Sequence, residues 1–156
     1  MPDWLSHVLL GLVICEIFNI RKKSLVLIGA VLPDILRLSK LLTFFPVDSS
    51  STYKIFFPLH TPIGSLVLAC LVALLFDYKY VAAVWLLSIG WISHFFLDVF
   101  QRHLGFGENL LFFPLSWNNL ELGVVAINQF YYVLIPLIVA YLIVRAVWHV
   151  RQSKNY

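Results

Sequence analysis

Charge is what this sequence has least of. Only 12% of its 156 residues are Asp, Glu, Lys or Arg, while 61% are apolar. Soluble domains carry about 25% charge and about 45–50% apolar residues. With a mean hydropathy of +0.88, the chain reads as one whose solvent is lipid, and nucleic acid is not an expected partner. Cysteine is equally sparse. Cys15 and Cys70 lie far apart inside apolar runs without CxxC-type spacing, so both read as small buried hydrophobes. There is no repeat, no low-complexity tract and no glycine-rich phosphate loop. No serine has a nucleophile-elbow context, which removes support for covalent serine catalysis. The opening MPDWLSHVLLGL lacks a basic region and a small-residue cleavage site, so it reads as a first spanning helix rather than a removable signal.

What is present is a series of apolar runs near the roughly 20 residues that a span requires. They cover about 4–20, 24–45, 61–76, 81–100 and 129–148. The expected fold is all-α: a polytopic membrane helical bundle of about five transmembrane helices, forming a single domain over 1–156. Pro33 is expected to break the second helix, because it removes a donor and clashes with the preceding turn. NIRKK (19–23) and DYKY (77–80) are tight connections, as in antiparallel helix pairs. The 101–128 segment, rich in Gly, Pro, Asn and aromatic residues, reads as a long irregular loop between the fourth and fifth spans. Placing Arg21, Lys22, Lys23, Lys79, Arg145, Arg151 and Lys154 inside assigns seven of the eleven basic residues to the cytoplasm. That arrangement predicts an external N-terminus and a cytoplasmic C-terminus.

The few ionisable residues inside the runs share one depth. Counted from the cytoplasmic ends at about 1.5 Å per residue, Asp34 lies roughly 15 Å up, His7 and His94 about 20 Å, and His60 and Asp98 about 24 Å. Ionisable groups at such depth face a bundle interior, pair with one another and mark a site. His94 and Asp98 stand four residues apart in SHFFLD, on one helix face. Imidazole and carboxylate together suit a divalent metal: zinc first, with manganese, iron or magnesium as alternatives, and one or two ions. Arg37 and Arg102, at the same end, match phosphate oxygens, and Asp3 lies one turn from His7 as an outer partner or base. Glu16, which would pair with Arg21 or Lys22, and His103 and His149 read as structural or solvated. Glu108 and Glu121 are within reach of the site from the long loop.

Five motifs occur in order: MPDWLSHVLLG, IGAVLPDI, LHTPIGSL, SHFFLD and LLFFPLSW. Together they resemble the YdjM family of membrane-bound, metal-dependent hydrolases, some under LexA control, over roughly the first three-quarters of the chain. The resemblance implies metal ligation by His7, Asp34, His60, His94 and Asp98, the residues that depth also selects. The third motif departs from the family's frequent THS and reads LHTP.

The expected function is therefore an integral membrane metal-dependent hydrolase of the plasma (inner) membrane, with its site in the outer half. Its substrate would be a membrane lipid or lipid-linked phosphate, cleaved at a phosphoester by metal-activated water. The metal would sit on His7, Asp34, His60, His94 and Asp98, with Asp3, Arg37 and Arg102 in catalysis. The alternative is a proton, cation or solute transporter built on the same His/Asp cluster. A bis-histidine haem protein fits less well beside two aspartates, and a purely structural protein leaves the shared polar layer unexplained.

Overall fold

The computed structural model describes residues 4–34, 57–102, 109–126 and 129–153. The described chain is mostly helical. Helix α1 spans Trp4–Ile17, α2 Lys23–Val31, α3 Pro62–Ala73, α4 Tyr80–Phe100 and α5 Tyr131–Ser153. A short 3-10 turn, Phe57–Leu59, precedes α3. Among the described residues of the expected irregular loop, strand β1, Gln101–Arg102, pairs in parallel with β2, Val125–Ala126.

Two of the five expected spans, α4 and α5, are long and apolar enough to cross a membrane. Helices α1 and α3 are apolar but have 14 and 12 residues, about 21 and 18 Å at 1.5 Å per residue. Their ends have local causes. Asn19 adopts a left-handed φ of 50°, and Ile20 N–H returns to the Cys15 carbonyl at 2.8 Å, closing α1 as asparagine can. Helix α3 starts where Thr61 caps it: Thr61 Oγ1 accepts from Gly64 N–H at 3.2 Å, and Pro62 takes the first helical position. The α-geometry of α2 stops at Val31, and residues 32–34 tighten into a 3-10 turn around Pro33. The remainder of the expected second span lies outside the described residues.

The bundle is organised by backbone contact between α2 and α4. A Cβ on Gly29 would overlap the Leu87 carbonyl, and one on Gly90 would overlap the Val26 carbonyl and Ala30 N. Small residues permit such close approach between membrane helices. Around this crossing Leu25, Leu32, Ala69, Ala73, Ala83 and Leu87 form the apolar core of α2, α3 and α4. The distribution of polarity is reversed from that of a soluble protein. Ser6, His7, Asp34, Thr61, His94 and Asp98 are buried, while Leu71, Leu75, Trp85 and Leu142 are more than half exposed.

Helix α5 lies against α1 and is fastened near one end. Trp148 Nε1 donates to the Glu16 carbonyl at 2.8 Å, and Glu16 pairs with Lys23 at 2.6 Å and Arg145 at 3.4 Å. The expected partners of Glu16 were Arg21 or Lys22. The left-handed turn at Asn19 instead carries the chain back so that Lys23 reaches it. Lys22 lies over the Tyr78 ring at 5.6 Å, so the two tight connections share this end of the bundle. Because Lys23 and Arg145 are partly exposed, the pairs are screened. Glu16→Ala is expected to lower stability by about 1 kcal/mol and to make α5 more sensitive to protease. Thermal unfolding and limited proteolysis in detergent measure both; an unchanged digestion pattern would remove Glu16 as the fastening.

Candidate metal centre

The crossing of α2 and α4 builds the site. One turn beyond Gly90, His94 Nδ1 meets the Ala30 carbonyl at 2.8 Å. A carbonyl only accepts, so Nδ1 carries the hydrogen, and a neutral His94 presents a lone pair at Nε2. Asp34 lies one turn past Ala30. Trp4 Nε1 donates to its Oδ2 at 3.1 Å, leaving Oδ1 directed at His94 and His60. His60 precedes the capped start of α3. There Thr61 Oγ1 donates to the Pro58 carbonyl at 2.6 Å and Ser65 Oγ donates to the Leu59 carbonyl at 3.3 Å. Phe95 packs edge-on against both the His60 and His94 rings.

Four donor atoms converge: Asp34 Oδ1, His60 Nε2, His94 Nε2 and Asp98 Oδ2. His60 Nε2 is 3.3 Å from His94 Nε2, 3.4 Å from Asp98 Oδ2 and 3.5 Å from Asp34 Oδ1. His94 Nε2 is 3.2 Å from Asp98 Oδ2 and 3.9 Å from Asp34 Oδ1. Tetrahedral zinc with N and O ligands at about 2.0–2.2 Å would separate its ligands by about 3.3–3.6 Å. The separations of 3.2–3.5 Å lie close to that range and the 3.9 Å one lies above it. The donor atoms of Asp34, His60 and His94 all lie within 4.8 Å of one another, as do those of His7, His94 and Asp98. Both Asp98 oxygens are buried without a hydrogen bond among the described residues, although imidazole nitrogens lie only 3.2–3.4 Å away. These groups are close, but they do not aim at one another as donor and acceptor.

His7, from α1, completes the cluster. Its ring stacks on His94 at 4.0 Å between centroids, and its Nε2 is 3.4 Å from Asp98 Oδ1. His7, Asp34, His94 and Asp98 are fully buried. No lysine or arginine joins this group among the described residues. The buried Asp98 carboxylate, with neither oxygen hydrogen-bonded among the described residues, calls for a positive charge beside it, and a divalent ion matches the requirement in sign and size. The donor set fits a metal on these grounds.

A family model for the YdjM inner membrane protein matches residues 1–155. The chain belongs to that family. No curated protein and no solved structure matches it. Membership of the YdjM family makes this an inner membrane protein, with α4 and α5 as candidate spans.

Within this YdjM family member the structure gathers His7, Asp34, His60, His94 and Asp98 and leaves other candidates elsewhere. Arg102 is exposed in β1 and forms no ion pair with the cluster. Helix α4 ends at Phe100 and the chain becomes extended at Gln101, so Arg102 does not stand one helical turn above Asp98. Glu16 belongs to the α5 fastening, and His149 is exposed on α5. Glu121 is half-buried in the loop. Asp3, Arg37, His103 and Glu108 lie outside the described residues. Sequence reasoning missed Trp4 and Asn109. Asn109 Nδ2 donates to the Asp98 carbonyl at 2.8 Å, securing the loop over the end of α4. Trp4 was legible only as an aromatic beside Asp3, and Asn109 carried no signal at all.

Proposed function

We propose that this protein is a metal-dependent hydrolase of the inner membrane that cleaves a phosphoester of a lipid-like substrate. The observation that carries the reading is the convergence of imidazole and carboxylate donors from Asp34, His60, His94 and Asp98 at metal-ligand spacing. Asp34, His60, His94 and Asp98 would hold a divalent cation, zinc by donor type, and His7 adjoins it. Such a cation, when bound, supplies Lewis acidity and makes water acidic enough to deprotonate near neutral pH.

The chain's own residues prepare that chemistry. The Ala30 carbonyl fixes the tautomer of His94, and the Trp4 indole orients Asp34, the support that metal ligands usually receive from a second layer. Phe95 shields two imidazoles from solvent. Arg37 and Arg102 would bind the phosphate, Arg102 reaching in from its exposed place in β1. Asp3 is assigned as the outer partner of His7 or as a base. The apolar exterior suits a substrate whose tails remain in the bilayer. A transport reading gains no path from the described interior, where Val13, Leu25, Val26, Ala83 and Leu87 provide no chain of titratable groups toward Glu16.

The test is phosphate or headgroup release from a panel of phospholipids, phosphatidic acids and lipid pyrophosphates. It is run on purified protein loaded with zinc or manganese and on the same protein stripped by chelator. Release that requires the metal is the expected result. Metal-independent ion flux in proteoliposomes, with no release from any lipid, would replace the hydrolase by a transporter.

A further inference from the structure

We infer that the cluster binds two divalent cations, with His7 serving the second and Asp98 bridging the pair. The inference rests on the metal-dependent reading above and extends it to the number and assignment of the ions.

The geometry separates His7 from the other imidazoles. An imidazole lone pair lies in the ring plane, so two histidines share an ion only where their planes meet. The His60 and His94 rings are inclined at 73°, and their Nε2 atoms can address one point. The His7 and His94 rings are stacked 4.0 Å apart and inclined by only 19°. Their planes do not meet within bonding reach of either ring. His7 therefore cannot join His94 on the same ion with in-plane geometry, yet it is wholly buried among the donors.

The division of Asp98 agrees. Its Oδ2 faces His60 and His94 at 3.4 and 3.2 Å, while its Oδ1 faces His7 Nε2 at 3.4 Å. Both His7 nitrogens are buried without a hydrogen bond among the described residues, a costly state for a polar group unless a ligand satisfies it. The first ion takes Asp34, His60, His94 and Asp98 Oδ2, a full tetrahedral set. The second takes His7 Nε2 and Asp98 Oδ1 and keeps open positions for water and substrate oxygens, as catalytic sites do. Two dications against two carboxylates leave the centre positive, which is the sign that attracts a phosphate.

The full chain, purified in detergent, saturated with zinc chloride and desalted, is analysed by mass spectrometry for zinc per chain. Wild type is expected to retain about two zinc ions and His7→Ala about one. In parallel, wild type loaded with manganese(II) is expected to give the exchange-coupled paramagnetic resonance spectrum of carboxylate-bridged ions. This second measurement decides the matter should His7→Ala fail to fold. One zinc per wild-type chain, two in a folded His7→Ala variant, or the spectrum of isolated manganese ions would overturn the inference while leaving a single-metal hydrolase intact. No retained metal in wild type would overturn both.

Discussion

Replacing His94 and Asp98 together by alanine is expected to abolish metal retention. The pair supplies two donors of the four-donor set and one side of every short contact to His60 at the α4 face. Loss of one supporting hydrogen bond around a metal commonly lowers affinity 10–100-fold, so loss of two direct donors should weaken binding by well over 100-fold. The proposed phosphoester hydrolysis should vanish with it. The signature extends to stability. An ion present at about 1,000 times its dissociation constant stabilises the folded state by about 4 kcal/mol, so wild type should melt distinctly higher with zinc than with chelator. The double variant should melt at one temperature in both. Without metal, the variant should even equal or exceed wild type, because it no longer buries the Asp98 charge without compensation. Elemental analysis and thermal unfolding with and without metal make the comparison. Equal metal content in wild type and variant would sink the site assignment.

Gly90→Val is expected to damage the protein more broadly than any substitution of a ligand. A side chain at this position meets the backbone of Val26 and Ala30 rather than a side chain that can turn aside. Ordinary overpacking costs about 1–3 kcal/mol; here two helices must separate, and a loss of at least 3 kcal/mol is expected. Separation also removes Ala30 from His94 and carries Asp34 away from His60, so the metal is lost although every ligand is retained. Gly11→Ala is the control. Its added Cβ would meet Leu27 Cδ2 at 3.3 Å, the flexible end of a side chain, and should cost less than about 1 kcal/mol. Thermal unfolding and zinc content of the two variants, side by side, provide the measurement. A wild-type melting temperature for Gly90→Val would contradict backbone contact at the crossing.

The residues of the cluster were more legible in the sequence than the helices that carry them. Ionisable side chains in an apolar run are conspicuous because their burial is expensive, and equal depth along successive helices needs only the helical rise. Thus His94 and Asp98 were recognisable as a pair, and His7, Asp34 and His60 as their neighbours in depth. The ends of the helices were less legible because hydropathy does not change there. Leu74, Leu75 and Phe76 continue the apolar run after α3 has ended at Ala73, so composition reads a longer span than the backbone forms. Pro33 was a readable stop because it acts locally. The partners of Glu16 were not readable, since they depend on the left-handed turn at Asn19 and on where α5 docks. Asn109 belongs to the same class: its role arises only when a distant loop folds over the end of α4.

The origin of the five donors in separate segments has a consequence for biogenesis. Asp98 is the last of them to leave the ribosome, and His7, Asp34 and His60 are synthesised well before it. At about 5–20 residues per second, the earlier three wait for several seconds without the helix that gathers them. The donor set is therefore closed by the arrival of α4, and loading of the proposed metal would follow that event rather than accompany insertion of α1. A nascent chain arrested before residue 94 lacks both α4 donors, and its cluster can hold no more than the Trp4, Asp34 and His60 contacts beside an unaccompanied His7.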